Sequence, residues 1–110
     1  MISTHVLDTA RGHPAQGIAV TLERDAGGRW EELGRETTDA DGRVGELLPA
    51  EAALVDGRYR LTFDTGQYFR TVGDAAFYPE VVVVFTVAGG GHHHVPLLLS
   101  PFGYSTYRGS

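Results

Sequence analysis

A chain of 110 residues has room for one hydrophobic core, and no linker, repeat or low-complexity segment interrupts it, which predicts a single domain over residues 1–110. The formal charge of −5, with all nine basic residues Arg and scattered among fourteen carboxylates, speaks against nucleic acid as a partner, because phosphate binding draws on clustered cations. The lack of cysteine removes disulfides, thiolate nucleophiles and thiolate metal sites together, and no stretch approaches the length needed to cross a membrane. With no basic and apolar leader at Met1–His5, these features predict a cytoplasmic protein.

Short strands separated by Gly, Asp and Pro fill the chain, with almost no helical periodicity. Residues 3–8 read as a first strand. Residues 17–24 alternate, placing Ile18, Val20 and Leu22 on one face, and the turn Asp25–Gly28 leads into Trp30–Thr37. Asp39-Ala40-Asp41-Gly42 is a second turn, since Asp-Gly supplies the positive φ angles that tight turns demand, and Arg43–Leu48 follows as a strand. Residues 58–64 put Tyr59, Leu61 and Phe63 inward, and 66–72 is the one place for a short helix. Glu80–Ala88 and His92–Leu99 read as a final strand pair, with Gly89-Gly90-Gly91 as its hairpin. Seven or eight short strands predict an all-β sandwich.

The strand at 80–88 is apolar on both faces: Val81, Val83, Phe85 and Val87 share one, and Val82 and Val84 lie on the other. A strand with one face in water should alternate apolar and polar. The second apolar face therefore points to a subunit interface, with a partly exposed run of β-branched residues as the alternative.

In the last strand, His93, Val95, Leu97 and Leu99 share the face expected to meet the core, so His92 and His94 stand outward, about 7 Å apart at their origins. Such a His-X-His pattern has three readings: a polar strand end beside a glycine turn, a zinc site, or acid–base chemistry by groups that exchange protons near neutral pH. His5 occupies a strand position where Val or Ile is commoner, and as a lone residue it reads as structural. Arg43 and Arg108 each read either as an anion-binding group or as an ordinary exposed residue. No nucleophile elbow, phosphate-cradling loop or pair of glycosidase carboxylates is present.

Three separated segments resemble the transthyretin-related 5-hydroxyisourate hydrolases. They are Ser3-Thr4-His5-Val6-Leu7-Asp8-Thr9 with Gly12–Ala15, then Thr38–Arg43, then Phe77–Glu80 and His92 through the terminal Tyr107-Arg108-Gly109-Ser110. The terminal run is the specific element, since the vertebrate hormone carriers that share the fold lack it. One departure is visible: the family commonly carries His-Tyr-His where this chain has His92-His93-His94.

The resemblance implies a transthyretin-like (prealbumin-like) sandwich of two four-stranded sheets with one short helix, assembled as a homotetramer, a dimer of dimers with active sites at the subunit interface. It implies 5-hydroxyisourate as the small-molecule substrate, opened hydrolytically to 2-oxo-4-hydroxy-4-carboxy-5-ureidoimidazoline without metal or other cofactor. The matching positions are His5, Arg43, His92 and Ser110 as catalytic groups, with Tyr107, Arg108 and His94 joining His5 and Arg43 in substrate binding. Three rival readings remain: a non-catalytic binder of small aromatic ligands on the same fold, a zinc-dependent hydrolase using His5, His92 and His94, and a structural adhesion module.

Overall fold

The computed structural model describes residues 1–110. Its elements in chain order are β1 (Ile2–Asp8), β2 (His13–Pro14), β3 (Ala19–Asp25), β4 (Trp30–Thr37), β5 (Arg43–Val44), β6 (Gly57–Phe63), α1 (Thr65–Val72), β7 (Val81–Val87), β8 (His93–Ser100) and β9 (Gly103–Thr106). One sheet runs β4-β3-β6-β7. The other runs β2-β1-β8-β9, with β5 also paired to β1.

The alternation read from the sequence sets the core. Ile18, Val20, Leu22, Tyr59, Leu61 and Phe63 are all fully buried, and they share one cluster with Ile2, Val6, Val95, Leu97 and Leu99 of the other sheet. Burial of such side chains is the main force holding the layers together, at about 1.5–3 kcal/mol for each large aliphatic or aromatic group.

The expected sandwich with one helix is present, but the second sheet has five strands rather than four. Two short strands, β2 and β5, take successive stretches of the same edge of β1: Leu7 and Asp8 pair with β2, and Thr4 and His5 with β5. Too short to show periodicity, β2 leaves no sequence signal. The strand expected over 43–48 ends at Val44. Beyond it the Glu46 carboxylate, rather than a backbone carbonyl, accepts from the Ile2 N–H at 2.8 Å, so a side chain closes the ladder.

The expected hairpin between the last two long strands does not form. Instead β7 pairs with β6 in one sheet, while β8 lies between β1 and β9 in the other. Both strands carry an apolar inner face, and those faces are buried only when they pack against each other across the sandwich. Gly89, Gly90 and Gly91 make the crossing with φ of 82°, 72° and 84°, three consecutive left-handed residues that only glycine adopts without strain.

The helix begins one residue earlier than expected. Asp64 caps it by accepting from the Gln67 N–H, and it ends in a left-handed Gly73. Its Tyr68 reaches the buried Asp8 carboxylate, donating at 2.7 Å. Asp8 also accepts from the Ala10 and Arg11 amides and from the Arg11 guanidinium, which in turn pairs with Asp74 at 2.8 Å. Burial alone would raise the Asp8 pKa; the Tyr68 and Arg11 hydrogen bonds outweigh it and hold the carboxyl below its ordinary range. No helix is long and apolar enough to cross a membrane.

Candidate active site

The parallel pairing of β1 with β8 builds the site. It sets Ser3 beside His94 and His5 beside Pro96. On the other edge of β1, His5 pairs with Arg43 of β5. Strand alternation then keeps Ile2, Thr4 and Val6 for the core and turns Ser3 and His5 outward, onto the face where His94 also stands. Arg43 is positioned by its turn: the Asp39 carboxylate accepts from the Arg43 and Asp41 amides, both at 2.9 Å, and the Asp39 N–H returns a bond to the Arg43 carbonyl.

A concavity of about 230 Å³ opens on this face, lined by Ser3, Arg43, His92, His94 and Ser110 among others. His92 lies just before β8, with its ring centroid 6.0 Å from that of His94. Ser110 arrives because the tail turns back after β9: the Gly109 N–H donates to the His94 carbonyl at 2.9 Å, and Thr106 Oγ1 donates to the Pro96 carbonyl at 2.7 Å. His5 stands beside the concavity, on the strand position next to Arg43.

Not every anticipated residue faces this concavity. Tyr107 and Arg108 line a neighbouring cleft of about 210 Å³, between β7 and the His93–Val95 stretch of β8. His94 borders both spaces. As alternation required, His93 turns inward; it is 4% exposed, and its Nδ1 is enclosed with no hydrogen-bond partner. His5, His92 and His94 do not gather into a three-ligand group able to hold a metal ion within this chain.

Five of the nine Arg residues (Arg11, Arg24, Arg35, Arg58 and Arg60) are paired with carboxylates; Arg29, Arg43, Arg70 and Arg108 have none within 4.0 Å, and of these four only Arg43 lines the concavity. A chain of net charge −5 thus keeps an unneutralised guanidinium beside three imidazoles. That arrangement favours an anion or a developing oxyanion. Burial, followed by the neighbouring His92, Arg43 and His5, pushes the His94 pKa below its usual value, which keeps the ring neutral at physiological pH.

Ser3 was not singled out from the sequence. Its Oγ lies 2.7 Å from His92 Nε2 and 2.8 Å from His94 Nδ1. The only signal for it was its period-two spacing from His5, which places both on one face of β1.

A two-sheet sandwich with a His- and Arg-lined concavity on its outer face defines a class, the transthyretin-like sandwiches that carry a polar site. The chain belongs to the HIUase/Transthyretin family, whose model matches residues 2–109. It is 48% identical over 113 residues to the 5-hydroxyisourate hydrolase of Mus musculus, across 99% of this chain and 94% of that protein. The structure of Klebsiella pneumoniae 5-hydroxyisourate hydrolase matches with a TM-score of 0.86 at 40% identity, covering 99% of this chain and 98% of the other. Sea bream transthyretin in complex with thyroxine matches with a TM-score of 0.90 at 32% identity, covering 98% and 93%.

Proposed function

We propose that the protein is a single-domain hydrolase that opens 5-hydroxyisourate to 2-oxo-4-hydroxy-4-carboxy-5-ureidoimidazoline in urate degradation. The observation that carries the reading is the unpaired Arg43 sharing one concavity with His92, His94 and Ser110. The hydrolases named among its relatives supply the substrate.

In this mechanism His5 and His92 orient a water and take its proton as it attacks the ring carbonyl. General-base assistance of this kind contributes roughly 10²–10⁴-fold. Arg43 polarises that carbonyl and stabilises the oxyanion as it develops. Ser110 and His94 hydrogen-bond the planar substrate, and Tyr107 and Arg108 border it from the adjoining cleft. No metal or organic cofactor takes part.

The active form is a cytoplasmic homotetramer, a dimer of dimers with the sites at subunit interfaces. Two features support assembly. Val82 and Val84 are 41% and 47% exposed on the outer face of β7, and both β7 and β9 end their sheets with one edge unpaired.

The test is a coupled assay in which urate oxidase generates the unstable substrate and its absorbance decay is followed. Micromolar protein should accelerate the decay, and an unchanged decay would overturn the reading. Activity that survives exhaustive chelation is the expected result; activity lost to chelator and restored by zinc would instead favour the three-histidine metal mechanism.

A further inference from the structure

Ser3 is nearly enclosed, at 6% exposure, and its hydroxyl is shared between two imidazole nitrogens. A hydroxyl has one proton to donate and lone pairs to accept with. Both contacts are hydrogen bonds and the serine proton also has an acceptor only if one imidazole donates to Oγ while Oγ donates to the other. If both nitrogens lacked protons, one contact would be unbonded. If both carried protons, the serine proton would be left in an enclosed site without an acceptor, which costs about 1–3 kcal/mol.

Two arrangements satisfy the geometry. In the first, His92 Nε2–H donates to Oγ and Oγ–H donates to His94 Nδ1. His92 then has a bare Nδ1 and His94 an Nε2–H. In the second every proton shifts along the chain: His94 Nδ1–H donates to Oγ, Oγ–H donates to His92 Nε2, and the two remaining nitrogens exchange roles. In both, the two rings carry their protons on nitrogens of the same name. Neither ring has another hydrogen bond that would fix its tautomer independently.

We infer that Ser3 is a positioning residue that locks His92 and His94 into matched tautomers, so that the pair offers one proton acceptor and one proton donor at the same time. The inference deepens the hydrolase reading and rests on it for its catalytic meaning, though not for the tautomer coupling.

Proton accounting gives the coupling a use. A water proton taken by His92 Nδ1 makes that ring cationic. The Nε2 proton then passes to Ser3 Oγ as the serine's own proton moves to His94 Nδ1. Ser3 is neutral before and after, His92 returns to neutrality, and His94 holds the charge. Its Nε2–H is then a strong acid for the departing ring nitrogen. Burial and the neighbouring Arg43 guanidinium disfavour a cationic His94, which makes it release the proton readily.

The experiment combines histidine ¹H–¹⁵N spectra with kinetics on wild type, Ser3→Ala and Ser3→Thr. In wild type the neutral rings of His92 and His94 should both be Nε2–H or both Nδ1–H. Ser3→Ala should uncouple them and lower kcat by roughly a hundredfold, the lower end of an acid–base contribution, with KM nearly unchanged. Its acid limb should also move. Ser3→Thr, which keeps the hydroxyl, should recover most of kcat and the matched tautomers.

Unlike tautomers in wild type would overturn the inference even if Ser3→Ala failed to fold. So would a well-folded Ser3→Ala protein with wild-type kcat and pH profile. Matched tautomers in a wild-type protein that does not accelerate substrate decay would remove the hydrolase reading while leaving the coupling intact.

Discussion

The Gly109 amide donates to the carbonyl of His94 at 2.9 Å, so the tail is bound directly to the residue whose ring borders the concavity. A Cβ on Gly109 would lie 2.5 Å from His94 Cδ2, closer than real side-chain contacts allow, and a tight 3.1 Å from Pro96 Cγ. The tail can approach the imidazole this closely only because position 109 has no side chain.

Gly109→Ala should therefore disturb the site more than the fold. Either the His94 ring tilts or the tail lifts, and displacements near 1 Å cost on the order of a hundredfold in rate. The coupled assay should show kcat/KM reduced by about that factor, with the thermal midpoint close to wild type.

Removing Arg43 should act twice. Loss of one oxyanion-stabilising donor typically costs about 10²–10³-fold, and Arg43→Ala should lower kcat/KM within that range. It also removes one of the positive charges that hold the His94 pKa down. Of the causes of that depression, burial and the other two imidazoles remain, so the His94 pKa should rise only in part, visible as an upward displacement in an NMR titration. Arg43→Lys should keep the titration near wild type while recovering little rate, because an ammonium lacks the planar fork of donors.

The depressed His94 pKa also has a stability consequence. Below its ordinary value of 6.5 the unfolded chain binds a proton more readily than the folded one. The contribution from His94 is therefore complete above that pH and declines as pH falls towards the folded value. Denaturant midpoints measured between pH 7.5 and 5 should fall with acid, and His94→Gln should flatten that fall.

Tyr68→Phe should destabilise the protein by about 1–3 kcal/mol, since it strips one donor from the fully buried Asp8 carboxylate. Asp8 titrates below its ordinary carboxylate value, so its contribution is complete above that value and is lost as pH falls through the folded pKa. The difference between Tyr68→Phe and wild type should accordingly be full at pH 7 and shrink below about pH 4. Urea unfolding at the two pH values measures both.

Assembly should depend on the outer face of β7. Val84→Asp places a charge on a half-exposed apolar strand without touching the core. Sedimentation velocity should show the proposed tetramer for wild type and smaller species for the variant, with the isolated chain still folded by far-UV circular dichroism.

The inward faces of β3, β6 and β8, the turn at Asp39–Gly42 and the single helix were legible in the sequence because they depend on local periodicity and turn chemistry. Alternation alone turned His92 and His94 outward and His93 inward, and the terminal Tyr107–Ser110 run identified the family. Three other features were decided by tertiary structure. The sheet change at Gly89–Gly91 depends on which apolar faces meet across the sandwich, a long-range choice that a glycine run does not encode. The tail divides between two spaces, Ser110 in the His-lined concavity and Tyr107 with Arg108 in the next cleft, because β9 sets where the chain emerges beside β8. Ser3 meets His92 and His94 because β1 and β8 run parallel at one register, and contact between residues about ninety positions apart leaves no trace in local sequence.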